Sequence, residues 1–267
     1  MSFSFMSNLM ESWIGPVTFL LSSLSLSLKI ITIDYMYRSP FFEEEDSEKV
    51  LAFMFANPFI TLIGNDGEFP VATQVPVIVK RIGDMILLVG HIMRKSDHFR
   101  AFSINESVMA LFSGSHAYIS ASVYEKPSSV STWNYLSVQA KGRIKMLDEA
   151  GTYQAVKDLT DIYESPDSSP AAFGRMDKDY IKKHLKAIVG FELEVLKLDH
   201  TFKLSQNHSA QNRKGIINKL LAGSDMDIAL AQEMEKQQND PIEITKKLTN
   251  DLGVCTSGTR HVNEKKI

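Results

Sequence analysis

The sequence has little cysteine and little net charge, and both limits narrow its possible functions. Cys255 is the one cysteine among 267 residues. It excludes an intramolecular disulfide framework and a zinc site built from several thiolates. The formal net charge of -3 gives no overall attraction to nucleic acid, so such binding would need a local basic patch. We expect a soluble protein of the reducing cytoplasm, without stable membrane association.

Several common catalytic motifs are also missing. The sequence contains no Gly-rich P-loop, no G-x-G-x-x-G, no G-x-S-x-G elbow and no H-E-x-x-H pair. The usual signatures of phosphate loops, serine hydrolases and zinc proteases are therefore absent. His91, His98 and His116 show neither tetrahedral ligand spacing nor an acidic partner, so we expect no metal site. A haem site stays open as an alternative.

The first 35 residues differ in composition from the rest of the chain. The stretch "WIGPVTFLLSSLSLSLKIITI" carries Lys29 as its one charge and is rich in leucine and serine. Its length suits a membrane span, but its serines would lose hydration there without partners. Glu11 replaces the basic start of a secretory signal. We expect residues 1–35 to be an upstream extension outside the fold, with a natural start at Met36; an anchor or signal is the alternative.

From Met36 onward, short apolar runs alternate with turn residues. "FITLIG" and "FPVATQVPVIVKRIG" flank Asn65-Asp66-Gly67, which is a hairpin signal because glycine tolerates positive φ. The runs "DMILLVGHI", "SVMALFSG", "HAYISASVY" and "TWNYLSVQAKGRIKML" complete six strands. Such regular spacing predicts a closed antiparallel barrel. Pro70 and Pro76 should lie at strand ends or edges, because proline cannot donate to a ladder.

Helical segments flank the predicted strands. "DSEKVLAFMFANP" begins with an acidic cap, and Ser96 or Asp97 can cap a short helix after the third strand. "GTYQAVKDLTDIYES" and "MDKDYIKKHLKAI" follow the last barrel strand, "VGFELEVLKLDHTFKLSQN" returns to alternation, and "QNRKGIINKLLAGSDMDIALAQEMEKQ" is helical again. The predicted class is mainly β with flanking helices (α+β) over residues 36–237. Residues 238–267 should form a polar, mobile tail.

One segment concentrates basic side chains where a strand runs into a short helix. "GHIMRKSDHFR" contains His91, Arg94, Lys95, Ser96 and Arg100 within ten positions. A helix N-terminus offers free N–H donors and the positive end of its dipole, and arginine or lysine adds charge. The combination suits a dianionic phosphate. A solvated charged turn is the alternative, and the turn taken alone favours it.

A second segment, "HAYISASVYEKPSSVSTWNY", is dense in hydrogen-bonding aromatic side chains. A flat apolar slot with fixed polar contacts would be lined by Tyr118, Tyr124, Trp133, Tyr135, Ser120, Thr132 and Asn134. Such a slot suits a planar heteroaromatic ring. The alternative is that the aromatic residues belong to the barrel core and the serines to a loop. A phosphate turn, an aromatic slot and a β-barrel together indicate flavin mononucleotide (FMN).

The region from Met36 to Gln237 resembles the Pai-type FMN-binding negative transcriptional regulators. These are a branch of the split-barrel flavoproteins related to pyridoxamine-phosphate oxidase. The resemblance rests on "ANPFITLI", "ATQVPVIV", "GHIMRKSDHFR", "FSGSHAYISASVY", "STWNYLSVQAKGRIKML", "IVGFELEV" and "FKLSQN", in this order. The family pattern at the basic turn is nearer to "HxARANPxW", so Lys95, Ser96 and Asp97 take the place of Ala-Asn-Pro. The resemblance implies an antiparallel split β-barrel that forms a homodimer with FMN at the interface.

The resemblance also implies which residues contact the cofactor. The basic segment would bind the FMN phosphate through Arg94, Lys95 and Ser96, with Arg100 as a further candidate. His91 would orient the turn or contact the ribityl chain. Contacts near the isoalloxazine ring would come from His116, Tyr118, Ser120, Thr132, Trp133 and Asn134, and from Lys203, Ser205 and Gln206. An ordinary surface position is the alternative for Lys203.

Three functions are compatible with these features. The family name implies a negative transcriptional regulator, for which DNA is a possible partner. However, "QNRKGIINKLLAGSDMDIALAQEM" has a helix-Gly-helix outline with few basic residues, Arg213, Lys214 and Lys219, so a DNA reader is not evident. Partner-mediated regulation stays open. The second function is an FMN-dependent oxidoreductase acting on a small molecule, and the third is a haem-binding barrel.

Overall fold

The computed structural model describes residue 39, residues 41–126 and residues 128–238, and the structural statements below concern these residues. The predicted extension, residues 1–35, lies outside them. So does the predicted tail, apart from Gln238. Both domain assignments therefore stay predictions.

The described chain contains seven β-strands and six α-helices. The strands are β1 (Phe59–Asn65), β2 (Pro70–Pro76), β3 (Ile78–Ile82), β4 (Met85–Met93), β5 (Ser107–Ile119), β6 (Thr132–Met146) and β7 (Ile188–Lys203). The helices are α1 (Ser47–Ala56), α2 (Asp97–Ile104), α3 (Glu149–Tyr163), α4 (Lys178–Leu185), α5 (Ala210–Leu221) and α6 (Asp225–Gln238). None of these helices combines the length and the apolar composition needed to cross a membrane.

The strands form the antiparallel split β-barrel that the family resemblance implies, and not the closed barrel that the strand spacing predicts. All ladders are antiparallel, in the order β2-β1-β5-β6-β7-β4-β3. The two edge strands, β2 and β3, follow one another in the chain with Val77 alone between them. Because one residue spans the two edges, the sheet must curl until its edges approach each other. Within the described residues no ladder joins β2 to β3, so the barrel stays open along this seam.

Two strand boundaries differ from the prediction. The segment "FPVATQVPVIVKRIG", predicted as one strand, forms β2 and β3. Pro76 ends β2 because it has no N–H for a ladder, and the N–H of Val77 instead donates to the Pro58 carbonyl at 2.9 Å. Conversely, two predicted strands form the single strand β5, because a register shift between Ser113 and His116 keeps the ladder with β6 continuous. The expected positions of Pro70 and Pro76, at the two ends of an edge strand, are confirmed.

Local sequence chemistry explains the turns and the helix starts. The β1–β2 hairpin turns at Gly67, whose φ of 100° is open to glycine, and Asp66 Oδ1 accepts the N–H groups of Glu68 and Phe69. Each of the helices α1 to α5 begins after a residue whose side chain accepts a first-turn N–H. These N-caps are Asp46, Ser96, Asp148, Asp177 and Ser209. Each such cap contributes about 1 kcal/mol.

The core lies inside the barrel and beneath the helices. Phe112, Phe191 and Leu193 have no exposed surface, and full burial of such a side chain contributes roughly 1.5–3 kcal/mol. Helix α3 packs on β7 and β4, where Thr152 Oγ1 accepts the Gly190 N–H at 2.9 Å. Helices α5 and α6 pack on each other, and α6 also covers β5. The strand ends and the outer faces between these helices stay accessible to ligands.

Candidate functional site

The basic turn is held by hydrogen bonds at both of its ends. It connects β4 to α2, and the N–H of Arg94 donates to the Ala187 carbonyl at 2.9 Å. Ser96 is the N-cap of α2: its Oγ accepts the Phe99 N–H at 3.2 Å and donates to the Met93 carbonyl at 2.7 Å. The predicted cap at Ser96 is thus confirmed, and the backbone of the turn is fixed.

Some charged side chains of the turn already have partners, and others do not. Lys95 is exposed and Arg94 is half-buried, and neither has an ion-pair partner among the residues described. Arg100 lies 3.8 Å from the carboxylate of Asp66. The N–H of His98 donates to Asp97, and this bond holds the pKa of Asp97 below its ordinary value. Arg94 and Lys95 are therefore the two cations available for an anion.

His91 lies on β4 just before the turn and has a buried polar atom without a partner. Its Nδ1 has no hydrogen-bond partner among the described residues, and burial lowers the pKa of the imidazole from the ordinary 6.5. An unsatisfied buried polar atom costs about 1–3 kcal/mol. A polar ligand beside the turn would remove that cost, so this atom indicates a missing partner near the turn.

A stability measurement tests the burial of His91. Because burial lowers its folded pKa, the unfolded chain binds the proton more readily, and the stabilisation is present above pH 6.5 and lost as the pH falls through the lower folded value. We expect the free energy of unfolding of the cofactor-free protein to decrease from about pH 7.5 to about pH 5.5, and less steeply in His91→Leu. Burial also lowers the pKa of His208. Because His208 is present in both proteins, its contribution to the pH dependence cancels in the comparison. Equal pH dependence in urea titrations would show that His91 titrates normally.

The aromatic residues form an exposed face where the end of β5 pairs with the start of β6. His116 pairs with Tyr135 across the ladder, and Tyr118 pairs with Trp133. The ring of Trp133 lies 5.9 Å from that of Tyr118 and 6.2 Å from that of His116. Tyr118 and Trp133 are 56% and 54% exposed. This aromatic face (His116, Tyr118, Trp133 and Tyr135) is a broad apolar surface open to solvent.

Two predicted site residues, Asn134 and Ser205, are buried against each other. Asn134 alternates with Trp133 along β6 and is 0% exposed, and Ser205 is 1% exposed. The Asn134 amide lies 2.9 Å from Ser205 Oγ, and Asn134 Oδ1 lies 3.2 Å from the same hydroxyl. The Asn134 amide also lies 3.7 Å from Met234 Sδ on α6. In the single chain the pair joins β6, the end of β7 and α6, and a flavin contact would require it to open.

The remaining predicted residues have local partners. Lys203 Nζ donates to Thr132 Oγ1 at 2.5 Å, which ties the end of β7 to the start of β6. Ser120 Oγ accepts the Ser122 N–H at 3.2 Å. Gln206 accepts the Leu204 N–H and donates to the Phe202 carbonyl, so both ends of its amide are occupied. Of these four, Lys203 is the one that also carries charge, and it is half-buried.

The basic turn and the aromatic face lie at opposite ends of the sheet. Met93, at the end of β4, pairs with Ile188 at the start of β7, and Phe191 of β7 pairs with Met146 at the end of β6. Trp133 lies at the start of β6, about 43 Å of strand away at about 3.3 Å per residue. Among the described residues no hydrogen bond, ion pair or ring contact joins the two groups. One chain therefore does not assemble them into one pocket.

Other residues were not expected from the sequence. Tyr124, expected in the slot, is instead 4% exposed, and its ring centroid lies 4.7 Å from that of His208. Its hydroxyl has no hydrogen-bond partner in the described part of the chain. Helix α2 packs against β2, the strand that carries polar Thr73 and Gln74. In the sequence, the indication of these residues is that they are two polar residues within the apolar run "FPVATQVPVIV". Among the described residues no group of three or more His, Cys, Asp or Glu side chains is arranged to hold a metal ion.

Comparison with known proteins shows the family of this chain. Residues 36–197 match the family described as "Putative FMN-binding domain". The chain belongs to this FMN-binding domain family. It is 29% identical over 185 residues to "Protease synthase and sporulation protein PAI 2" of Bacillus subtilis, which covers 69% of this chain and 89% of that protein. The Pai-type resemblance is confirmed.

Two solved structures are also similar to this member of the family. The flavocytochrome Anf3 from Azotobacter vinelandii is 19% identical, with a TM-score of 0.47 over 60% of this chain and 68% of that chain. The FAD and heme binding protein from Mycobacterium smegmatis is 16% identical, with a TM-score of 0.47 over 64% of this chain and 78% of that chain.

Proposed function

We propose that this protein is a cytoplasmic homodimer that binds FMN and acts as a negative transcriptional regulator. The observation that carries the FMN assignment is the basic turn. Among the described residues Arg94 and Lys95 have no ion-pair partner, and the buried Nδ1 of His91, three residues before Arg94, has no hydrogen-bond partner. A dianionic phosphate with its attached polyol chain supplies both the negative charge and the hydrogen-bonding groups that these residues lack.

The phosphate would be held mainly by side chains. The N–H groups of His98 and Phe99 already donate to Asp97 and Ser96, so the start of α2 has fewer free donors than an ordinary helix N-terminus. Arg94 and Lys95 then supply the charge-assisted contacts, and Ser96 keeps the turn in place. The residues present therefore fit an FMN phosphate.

The isoalloxazine ring would be covered by a second copy of the chain. The aromatic face is at the opposite end of the sheet from the basic turn, and exposed aromatic pairs of this kind are typical of contact surfaces. A homodimer allows the aromatic face of one copy to approach the basic turn of the other. When bound, FMN supplies the redox chemistry, whereas the residues of the chain bind it, orient it and exclude water.

The regulatory part of the proposal is supported by the resemblance to the Pai-type negative transcriptional regulators, and the chain is similar to PAI 2 over most of both chains. The helix-Gly-helix segment does not strengthen it. Arg213 of α5 donates to Gln237 Oε1 of α6 at 2.9 Å, so this cation is engaged within the helix pair. Lys214 and Lys219 are exposed, but two cations are too few for the phosphate contacts of a DNA reader. A DNA-contacting surface has to be sought elsewhere on the barrel.

An absorption spectrum of the purified protein, repeated after addition of FMN and gel filtration, tests the cofactor. Retained bands near ~450 and ~375 nm, as usual for a bound flavin, together with elution at the size of two chains, are the expected result. A protein that releases all added FMN would overturn the proposal. A Soret-type band would replace FMN with haem.

Arg94→Ala tests the phosphate contact. We expect the dissociation constant for FMN to rise about 30-fold, because a charge-assisted contact of about 2 kcal/mol is lost. Arg81→Ala is the matched control, since Arg81 lies near the other end of β4 and pairs with Glu48. Flavin fluorescence titration measures both. Equal affinities of the wild type and Arg94→Ala would show that the phosphate binds elsewhere.

A further inference from the structure

Helix α4 is an exposed helix with an unusual concentration of lysine. It begins after its N-cap, Asp177, and none of its eight residues is fully buried. Ile181 and Leu185 are half-buried and mark the side that faces the protein, where α4 contacts α3 and β7. The polar side of the helix is therefore directed at solvent.

Three lysines form a row along that polar side. Lys178, Lys182 and Lys186 follow one another at a spacing of four residues and are all exposed, which places successive side chains about 6 Å apart along the helix axis. This lysine row (Lys178, Lys182 and Lys186) has no ion-pair partner within the part of the chain that the structure describes. Lys183 adds a fourth charge beside it.

The helix dipole explains only part of this row. Cations at the C-terminal end are favoured by the negative end of the dipole, which accounts for Lys182 and Lys183 in the last turn and for Lys186 at the C-cap. Lys178 lies in the first turn, where the dipole disfavours a cation. Since the whole chain has a formal net charge of -3, a row of unpaired lysines is also not a consequence of a generally basic surface.

The lysine row continues into the basic turn. The carbonyl of Ala187, directly after Lys186, accepts the N–H of Arg94 at 2.9 Å. The C-terminal end of α4 and the turn with Arg94 and Lys95 are therefore neighbours, and the cations of the helix and the turn outnumber the acidic Asp97 and Asp179. An extended row of cations matches an extended polyanion better than it matches a single phosphate group.

We propose that the lysine row of α4 binds the phosphate backbone of double-stranded DNA. The inference rests on the proposed regulatory function and supplies the surface that the helix-Gly-helix segment lacks. A membrane surface fits less well, because a helix that lies in a membrane interface needs an apolar face free to insert. In α4 that face, with Ile181 and Leu185, is directed at the protein.

Fluorescence anisotropy with a labelled duplex of mixed sequence tests the proposal in the FMN-loaded protein. The variant Lys178→Gln/Lys182→Gln/Lys186→Gln removes the row. The control Lys126→Gln/Lys214→Gln/Lys219→Gln removes the same charge from other exposed positions. We expect the row variant to bind at least tenfold more weakly at about 100 mM salt, and the slope of log affinity against log salt to fall by about 2–3, since each lost phosphate contact removes about 0.9. The control should bind like the wild type, and all three should retain FMN.

The outcomes separate this inference from the proposed function. If the wild type and the row variant bind the duplex equally, α4 is not the contact surface, while direct regulation through DNA still stands. If the wild type does not bind the duplex, both the α4 surface and direct DNA contact are wrong. Binding to phosphatidylserine vesicles in place of the duplex would assign the row to a membrane. Loss of FMN in the wild type contradicts the cofactor assignment alone.

Discussion

Gly142→Ala is expected to destabilise the fold by about 3 kcal/mol or more, since overpacking against a rigid neighbour is at the upper end of such effects. A Cβ at position 142 would lie 1.9 Å from the carbonyl oxygen of Glu194 and 2.8 Å from its carbon. The cause is the register shift between β6 and β7: Lys141 pairs with Lys197 and Gly142 with Val195, which leaves one extra residue on β7. Neither backbone can withdraw without breaking the longest ladder of the barrel.

Urea unfolding of Gly142→Ala and of Gly174→Ala provides the matched comparison. A Cβ at Gly174 would meet no atom within 4 Å, so its substitution should change the free energy of unfolding by no more than about 0.5 kcal/mol. The two variants share the chemical change and differ in the space available. Similar midpoints for both would mean that β6 and β7 do not approach each other as closely as the structure has them.

Lys141→Met is expected to cost about 2–3 kcal/mol at neutral pH, because it leaves a buried carboxylate with reduced compensation. Asp199 is 2% exposed, and the Lys141 ammonium lies 2.8 Å from its carboxylate, with Lys197 at 3.5 Å. Burial raises the pKa of Asp199, but the hydrogen bonds and charges of the two lysines outweigh burial, and the pKa lies below its ordinary value.

The pH dependence distinguishes this mechanism from a simple loss of packing. In the wild type the pKa of Asp199 is depressed, so the stabilisation is present above the unfolded value of about 3.9 and is lost as the pH falls through the folded value. Without Lys141, burial has more weight and the folded pKa rises. Protonation then relieves the buried charge at higher pH. The stability difference between the wild type and Lys141→Met should therefore shrink as the pH is lowered from about 7 to about 4.

The double variant Lys141→Met/Asp199→Asn is the control for this ion pair. It removes both charges and has no carboxylate at position 199, so between about pH 7 and about pH 4 it should gain less stability relative to the wild type than Lys141→Met does. Equilibrium unfolding of the three proteins at matched pH values measures the difference. A constant penalty for Lys141→Met across the pH range would show that the carboxylate is not the source of the loss.

Much of the local structure could be predicted because its causes are local. The Asn65-Asp66-Gly67 turn, the N-cap at Ser96 and the position of Pro76 follow from side chains that act on backbone within a few residues. The strand pattern and the family resemblance were enough for the split barrel. The merging of two predicted strands into β5 was not predictable, because it depends on pairing with β6, far along the sequence.

The candidate site was predictable as residue types and not as an arrangement. Tyr118, Tyr124 and Trp133 are similar in sequence context, yet Tyr118 and Trp133 are exposed on one face while Tyr124 is buried. Alternation shows that two side chains point to different faces of a strand, but the packing of α5 and α6 decides which face is covered. Asn134 was predicted as a ligand contact because the sequence does not show which face is covered. In the structure its amide instead donates a hydrogen bond to Ser205.

The sequence by itself determined the class of the protein, the basic turn with its helix cap, and the family to which it belongs, because these depend on neighbouring residues and on their order. The tertiary structure alone decided that the basic turn and the aromatic face lie at opposite ends of the sheet and that Lys141 and Lys197 compensate the buried Asp199. It also decided that the lysines of α4 face solvent, with no ion-pair partner among the described residues. These features depend on strand register and on which surfaces pack together, and both arise from contacts between residues that are distant in the chain.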